Sequence, residues 1–108
     1  MAPVTVRLYT RNKALEKLIK DASAGSPTGG IVVETPAWKD RPRAAGYVIT
    51  KNGLNRDLEW FAAQLGAVPV VLPEGLPWLM ERIATENARG IETRIIGGDY
   101  RQLPRNGE

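Results

Sequence analysis

The sequence predicts a small α/β fold: a mostly parallel sheet of about five strands with helices on both faces. Three observations predict it. Short runs rich in β-branched residues alternate along the chain with longer stretches of helical periodicity. Helix candidates are followed within a few residues by the next strand, as crossovers between parallel neighbours require. The 108 residues suffice for one domain, and folding at this size buries about 65% of the unfolded surface. The alternative is a ferredoxin-like α+β fold, because no clear helix separates the second and third strands.

Val4 to Tyr9 opens the pattern, with Val4, Val6 and Leu8 on one side and Thr5, Arg7 and Tyr9 on the other. That alternation is a half-buried strand. Asn12 can cap a helix that places Ala14, Leu15, Leu18, Ile19 and Ala22 on one face. Ser23 to Gly30 reads as a loop, and Ile31 to Val33 as a short strand covered on both faces. Pro36 to Ala45, with two prolines and alternating charges, is a second loop before the strand Tyr47 to Ile49.

Leu54, Leu58, Phe61 and Leu65 then form one helical stripe, with Asp57 and Glu59 in the first turn and Gly66 at the C-cap. Val68 to Leu72 is the fourth strand. Pro77 suits the first turn of a helix that turns Leu76, Leu79, Met80, Ile83 and Ala84 inward and stops at Gly90. Ile91 to Ile96 alternates again. The domain is expected over residues 1–96, with 97–108 a loose, polar tail. The first and last strands read as one-sided and are expected at or near the sheet edges.

Composition removes whole classes of chemistry. With no cysteine there is no disulfide, thiol nucleophile or thiolate ligand, and with no histidine the commonest general base and metal ligand are missing. Serine–histidine hydrolysis and His/Cys zinc sites are excluded; no cofactor or metal is expected, and an enzyme is disfavoured. No apolar stretch approaches the roughly 20 residues of a membrane span, so a cytoplasmic protein without membrane contact is expected. The net charge of +3 is uneven: through Lys20, Arg7, Arg11, Lys13, Lys17 and Lys20 face Glu16 alone.

Two strand ends look alike. Thr10-Arg11-Asn12-Lys13 and Thr50-Lys51-Asn52 each place Thr, a cation and Asn just before a helix, on the carboxyl edge where parallel sheets bind ligands. Thr10 to Lys13 and Thr50 to Asn55 are therefore candidates for binding a small anion, a nucleotide or nucleic acid. Plain capping and solvated cations would produce the same pattern. The acidic residues are scattered; only Glu34 and Glu74 are expected at that edge.

The tryptophans are the other candidates. At 100° per residue Trp78 lies opposite the Leu79/Met80/Ile83 face, Trp60 lies off the Leu58/Phe61 stripe, and Trp38 sits in a proline-flanked loop. Indoles outside the core are favoured interface anchors, so Trp38, Trp60 and Trp78 are candidates for a protein partner or self-association.

The run from Leu65 to Ile83 (LGAVPVVLPEGLPWLMERI) resembles the closing quarter of response-regulator receiver domains. Gly46-Tyr-Val-Ile-Thr50 looks like the strand before it, ending in a switch Thr, and Gly30-Ile-Val-Val-Glu-Thr-Pro36 like the strand bearing the phosphoacceptor. The nearest resemblance is to the receiver-like N-terminal domain of MinD-like pilus-assembly and septum-site ATPases. The departures are specific. Glu34 stands for the acceptor Asp, Leu72 for the Lys, Thr10 and Arg11 for the magnesium-binding acidic pair, and a strand–helix unit is lacking between Ala22 and Ile31. The resemblance therefore implies a bacterial pseudo-receiver without phosphotransfer. The three off-core tryptophans and the missing catalytic residue types point to a non-enzymatic, regulatory module that binds a protein partner or itself through its exposed aromatic helix faces.

Overall fold

The computed structural model describes residues 4–25, 31–51, 53 and 56–97. Its elements follow the predicted order: β1 (Val4–Thr10), α1 (Lys13–Ala24), β2 (Ile31–Glu34), a single 3-10 turn (Trp38–Asp40), β3 (Tyr47–Thr50), α2 (Arg56–Leu65), β4 (Val68–Val71), α3 (Leu76–Ala88) and β5 (Thr93–Gly97). All strand pairs are parallel, in the order β2-β1-β5-β3-β4. With no antiparallel pair among the described residues, the fold is the α/β sheet and not the ferredoxin-like alternative.

Side-chain alternation divides the sheet into two faces. On one, Leu15 and Ile19 of α1 and Leu79 and Ile83 of α3 pack with Val6, Leu8, Tyr47, Ile49, Val70 and Ile95. On the other, α2 seats Leu58 and Ala62 against Val48, while Trp38 closes over Tyr9, Ala45 and Ile96. The connections through α1 and α3 run in one direction across the sheet. Those from β2 to β3 and through α2 run in the other, over the opposite face. All four therefore share one hand, as twisted parallel strands require.

Two expectations change. The one-sided strands β1 and β5 lie inside the sheet, and β2 and β4 form its edges. Toward Arg7 and Arg94 the second face of β1 and β5 is polar because the link from β2 to β3 carries no helix, and its Trp38 covers only Tyr9 and Ile96 beyond. Arg7 there sits 2.9 Å from Glu92 and 4.0 Å from Glu34, and Arg94 sits 3.8 Å from Glu92. One-sidedness thus reports a missing helix and not an edge. On α2, Leu58 and Ala62 are buried and Phe61 only half-buried. The small Ala62 lets the helix approach β3, which the large-residue stripe did not anticipate.

The last strand also differs in extent, beginning at Thr93 and running through Gly97. Residues 98–108 of the expected tail lie outside the described residues. Gly97 is buried in the sheet, and a Cβ there would stand 2.7 Å from Ile49 Cγ1 and 3.4 Å from Leu15 Cδ1. Only glycine fits.

Candidate functional site

The carboxyl edge is where the two resembling strand ends meet the topology. The link after β1 turns to the α1 face and the link after β3 turns to the α2 face, with β5 between them. This reversal makes the end of β5 the switch point of the sheet, the usual place of a ligand crevice. Thr10 pairs in register with Gly97, and so does Ile49, the neighbour of Thr50. The Thr10 and Thr50 segments are therefore about 10 Å apart, two strand spacings.

Most polar groups of the predicted anion site are already engaged. Asn12 Oδ1 accepts the N–H groups of Ala14 (2.9 Å) and Leu15 (3.2 Å), and Thr10 Oγ1 accepts the N–H of Asn12 (3.0 Å). Asn12 is thus the N-cap of α1, and its amide occupies the donors that a phosphate would seek. Thr50 is buried, and Asn52, Leu54 and Asn55 lie outside the described residues. Lys13 extends to Glu16 at 3.9 Å, and Glu16 also meets Lys20 at 3.7 Å. Arg11 and Lys51 remain exposed, with no ion pair among the described residues.

Arg11 has a different neighbour from the one its sequence position suggests. Its Cζ lies 5.8 Å from the centre of the Trp38 ring, and the Cζ of Arg41 lies 4.7 Å from the same ring. Arg41 also donates from Nη1 to the Trp38 carbonyl at 3.1 Å. One residue assigned to anion binding and one assigned to partner binding therefore belong to a single cluster. Sequence reasoning missed Arg41, although the run Trp38-Lys-Asp-Arg-Pro-Arg43 carries the basic–aromatic signal.

Glu34 and Glu74 do not converge. Glu34 ends β2 and Glu74 follows β4, the two opposite edges, which are separated by four strand spacings, about 19 Å. Among the described residues no group of three acidic side chains could hold a metal ion.

The other two tryptophans stand clear of the core, as the helical projection requires. Trp60 is 48% exposed and Trp78 is 45% exposed. Trp78 is nonetheless held in place. It meets the ring of Tyr47 edge to face at 6.0 Å, and the Arg82 guanidinium lies 6.0 Å from its ring centre. The Tyr47 hydroxyl donates to Glu86 Oε1 at 2.6 Å, and Arg82 Nη2 stands 3.5 Å from the same oxygen. Burial, and then the Glu86 hydrogen bond, raises the Tyr47 phenol above its ordinary value, against the opposing pull of Arg82.

Beside Trp78 runs a shallow groove of about 450 Å³ along edge strand β4, lined by Val68, Val70, Glu74 and Gly75. Val68 is 48% exposed. The backbone edge below it is largely closed to a further strand. The N–H groups of Val68 and Leu72 donate inward to Gly46 and Thr50, so Pro69 and Val71 turn outward. Pro69 has no N–H to offer, and the Val71 carbonyl already accepts the Gly75 N–H at 2.8 Å. Contact along this groove must come from side chains.

No known protein family, curated protein or solved structure matches the chain.

Proposed function

We propose that this domain is a non-enzymatic interaction module whose contact surface is Trp78 and the groove beside β4. The observation that supports this reading is a large indole half exposed yet locked against Tyr47, next to the apolar side chains of an edge strand. A pre-ordered aromatic loses little rotamer freedom on binding, which is why such residues dominate interface energetics. The blunted backbone edge favours a partner that lays side chains into the groove over one that adds a strand. Trp60, on α2, is a second anchor on the opposite face of the sheet.

The test compares Trp78→Ala and Val68→Ser with the unaltered protein by sedimentation over a wide concentration range, with thermal melts alongside. Both variants should reduce self-association, or capture of a protein partner once one is in hand. Trp78→Ala also costs the monomer its contact with Tyr47, about 1 kcal/mol for an aromatic pair and somewhat more with area. Val68→Ser, at a residue half exposed, separates the two effects. Association unchanged in both variants would remove this surface from the function.

A further inference from the structure

We infer that the Arg11–Trp38–Arg41 cluster binds a pair of adjacent phosphates, carried either by a nucleotide or by single-stranded nucleic acid. The surface lies on a different part of the fold from the Trp78 groove and stands independently of it.

Neither guanidinium of the cluster is neutralised by an acid among the described residues. Arg7, Lys13, Lys20, Arg82 and Arg94 each lie within 4.0 Å of a glutamate. Arg11 and Arg41, by contrast, are drawn to one indole with no carboxylate paired to either among the described residues. The two ring distances, 5.8 and 4.7 Å, place their Cζ atoms at most about 10.5 Å apart, where like charges still repel in the absence of a counterion. The same loop adds exposed Lys39 and Arg43 against the single exposed Asp40, and Lys51 follows β3 at the same edge.

Packing against an aromatic ring orients a guanidinium without consuming its donors. Arg11 makes no hydrogen bond among those of the described residues, and Arg41 uses one N–H on the Trp38 carbonyl. Two guanidiniums held in this way keep N–H groups for phosphate oxygens, the planar recognition at which arginine exceeds lysine. Their setting is the carboxyl edge, beside the switch point, where Trp38 covers Tyr9 and Ile96 at the ends of β1 and β5. Two guanidiniums gathered on one ring offer a separate contact to each of two linked phosphates.

Trp38 supplies the readout. In a Trp60→Phe/Trp78→Phe background, indole emission comes from Trp38 alone. This protein is titrated with inorganic triphosphate, a nucleoside triphosphate and a short single-stranded oligonucleotide at low salt. Saturable changes with the first two assign the source to a nucleotide, and a change with the oligonucleotide alone assigns it to nucleic acid; either supports the site. Arg11→Gln and Arg41→Gln should each weaken binding roughly tenfold or more, as loss of a charged hydrogen-bond donor does. Arg41→Lys should recover only part of it. Lys17→Gln, an exposed cation on α1 away from the cluster, should change it less than about twofold, and circular dichroism should show every variant folded. No saturable change with any of the three, or equal losses from Lys17→Gln and Arg41→Gln, would overturn the inference.

Discussion

Gly97→Ala tests the sheet at the point where its two halves meet. The added Cβ would lie 2.7 Å from Ile49 Cγ1, 3.0 Å from Ile49 Cδ1 and 3.4 Å from Leu15 Cδ1. Carbon atoms pack at about 3.5–4.0 Å. Ile49 and Leu15 are both buried and cannot swing into solvent, so the backbone of β5 must give way. Overpacking of this kind costs about 1–3 kcal/mol, out of a total stability of roughly 5–15 kcal/mol. Urea denaturation followed by circular dichroism should show the midpoint fall by that amount. A double-mutant cycle makes the test specific. Ile49→Ala alone costs about 2–5 kcal/mol through its cavity, but it also removes both clashing atoms. The double variant should therefore be more stable than the two single losses predict by about 1–2 kcal/mol. A neutral Gly97→Ala, or strict additivity with Ile49→Ala, would refute the placement of β5 between β1 and β3.

Three further outcomes are expected. Asn12→Ala should lower stability by about 1 kcal/mol in denaturant titrations, because two helix N–H groups lose their acceptor, whereas Asn12→Asp should preserve it. Because the folded-state pKa of Tyr47 is raised, its contribution to stability is fully present below the unfolded value near 10 and is lost as pH rises through the folded value. Thermal melts should therefore show an alkaline decline that Tyr47→Phe abolishes. Incubation with acetyl phosphate and magnesium should leave the intact mass unchanged, because the resemblance to receiver domains aligns Glu34 and Leu72 with the phosphoacceptor and its lysine.

The order of elements was readable because periodicity is a local property. Val6 and Leu8 alternate, Leu15 and Ile19 recur at helical spacing, and the structure buries all four. The exposure of Trp60 and Trp78 followed from the same projection. Strand order was not readable in this way. Nothing local to Thr93–Gly97 says that it slides between β1 and β3, and the polar faces of Arg7 and Arg94 suggested an edge instead. The Trp38 cluster escaped for a related reason. Arg11 and Arg41 are 30 positions apart in the chain, and only the helix-free crossing from β2 to β3 lays one residue's loop over the other's. Asn12 carries both a capping and a ligand signal in the sequence, and in the fold its Oδ1 accepts the N–H groups of Ala14 and Leu15.

The central place of β5 has a consequence for how the molecule assembles. Without it the sheet consists of two separate βαβ units, β1-α1-β2 and β3-α2-β4, that share no strand pairing among the described residues. Each can make its own local contacts as it is synthesised, yet neither alone completes the core. Val6 and Leu8 pair laterally with β5, as do Tyr47 and Ile49, so both units wait on a segment made after them. Closure then joins residues up to about 90 positions apart in one step, the long-range pairing that slows folding. On the ribosome, the half-sheets would stay open until Gly97 emerged, with Leu8 and Ile49 uncovered along the seam that β5 fills.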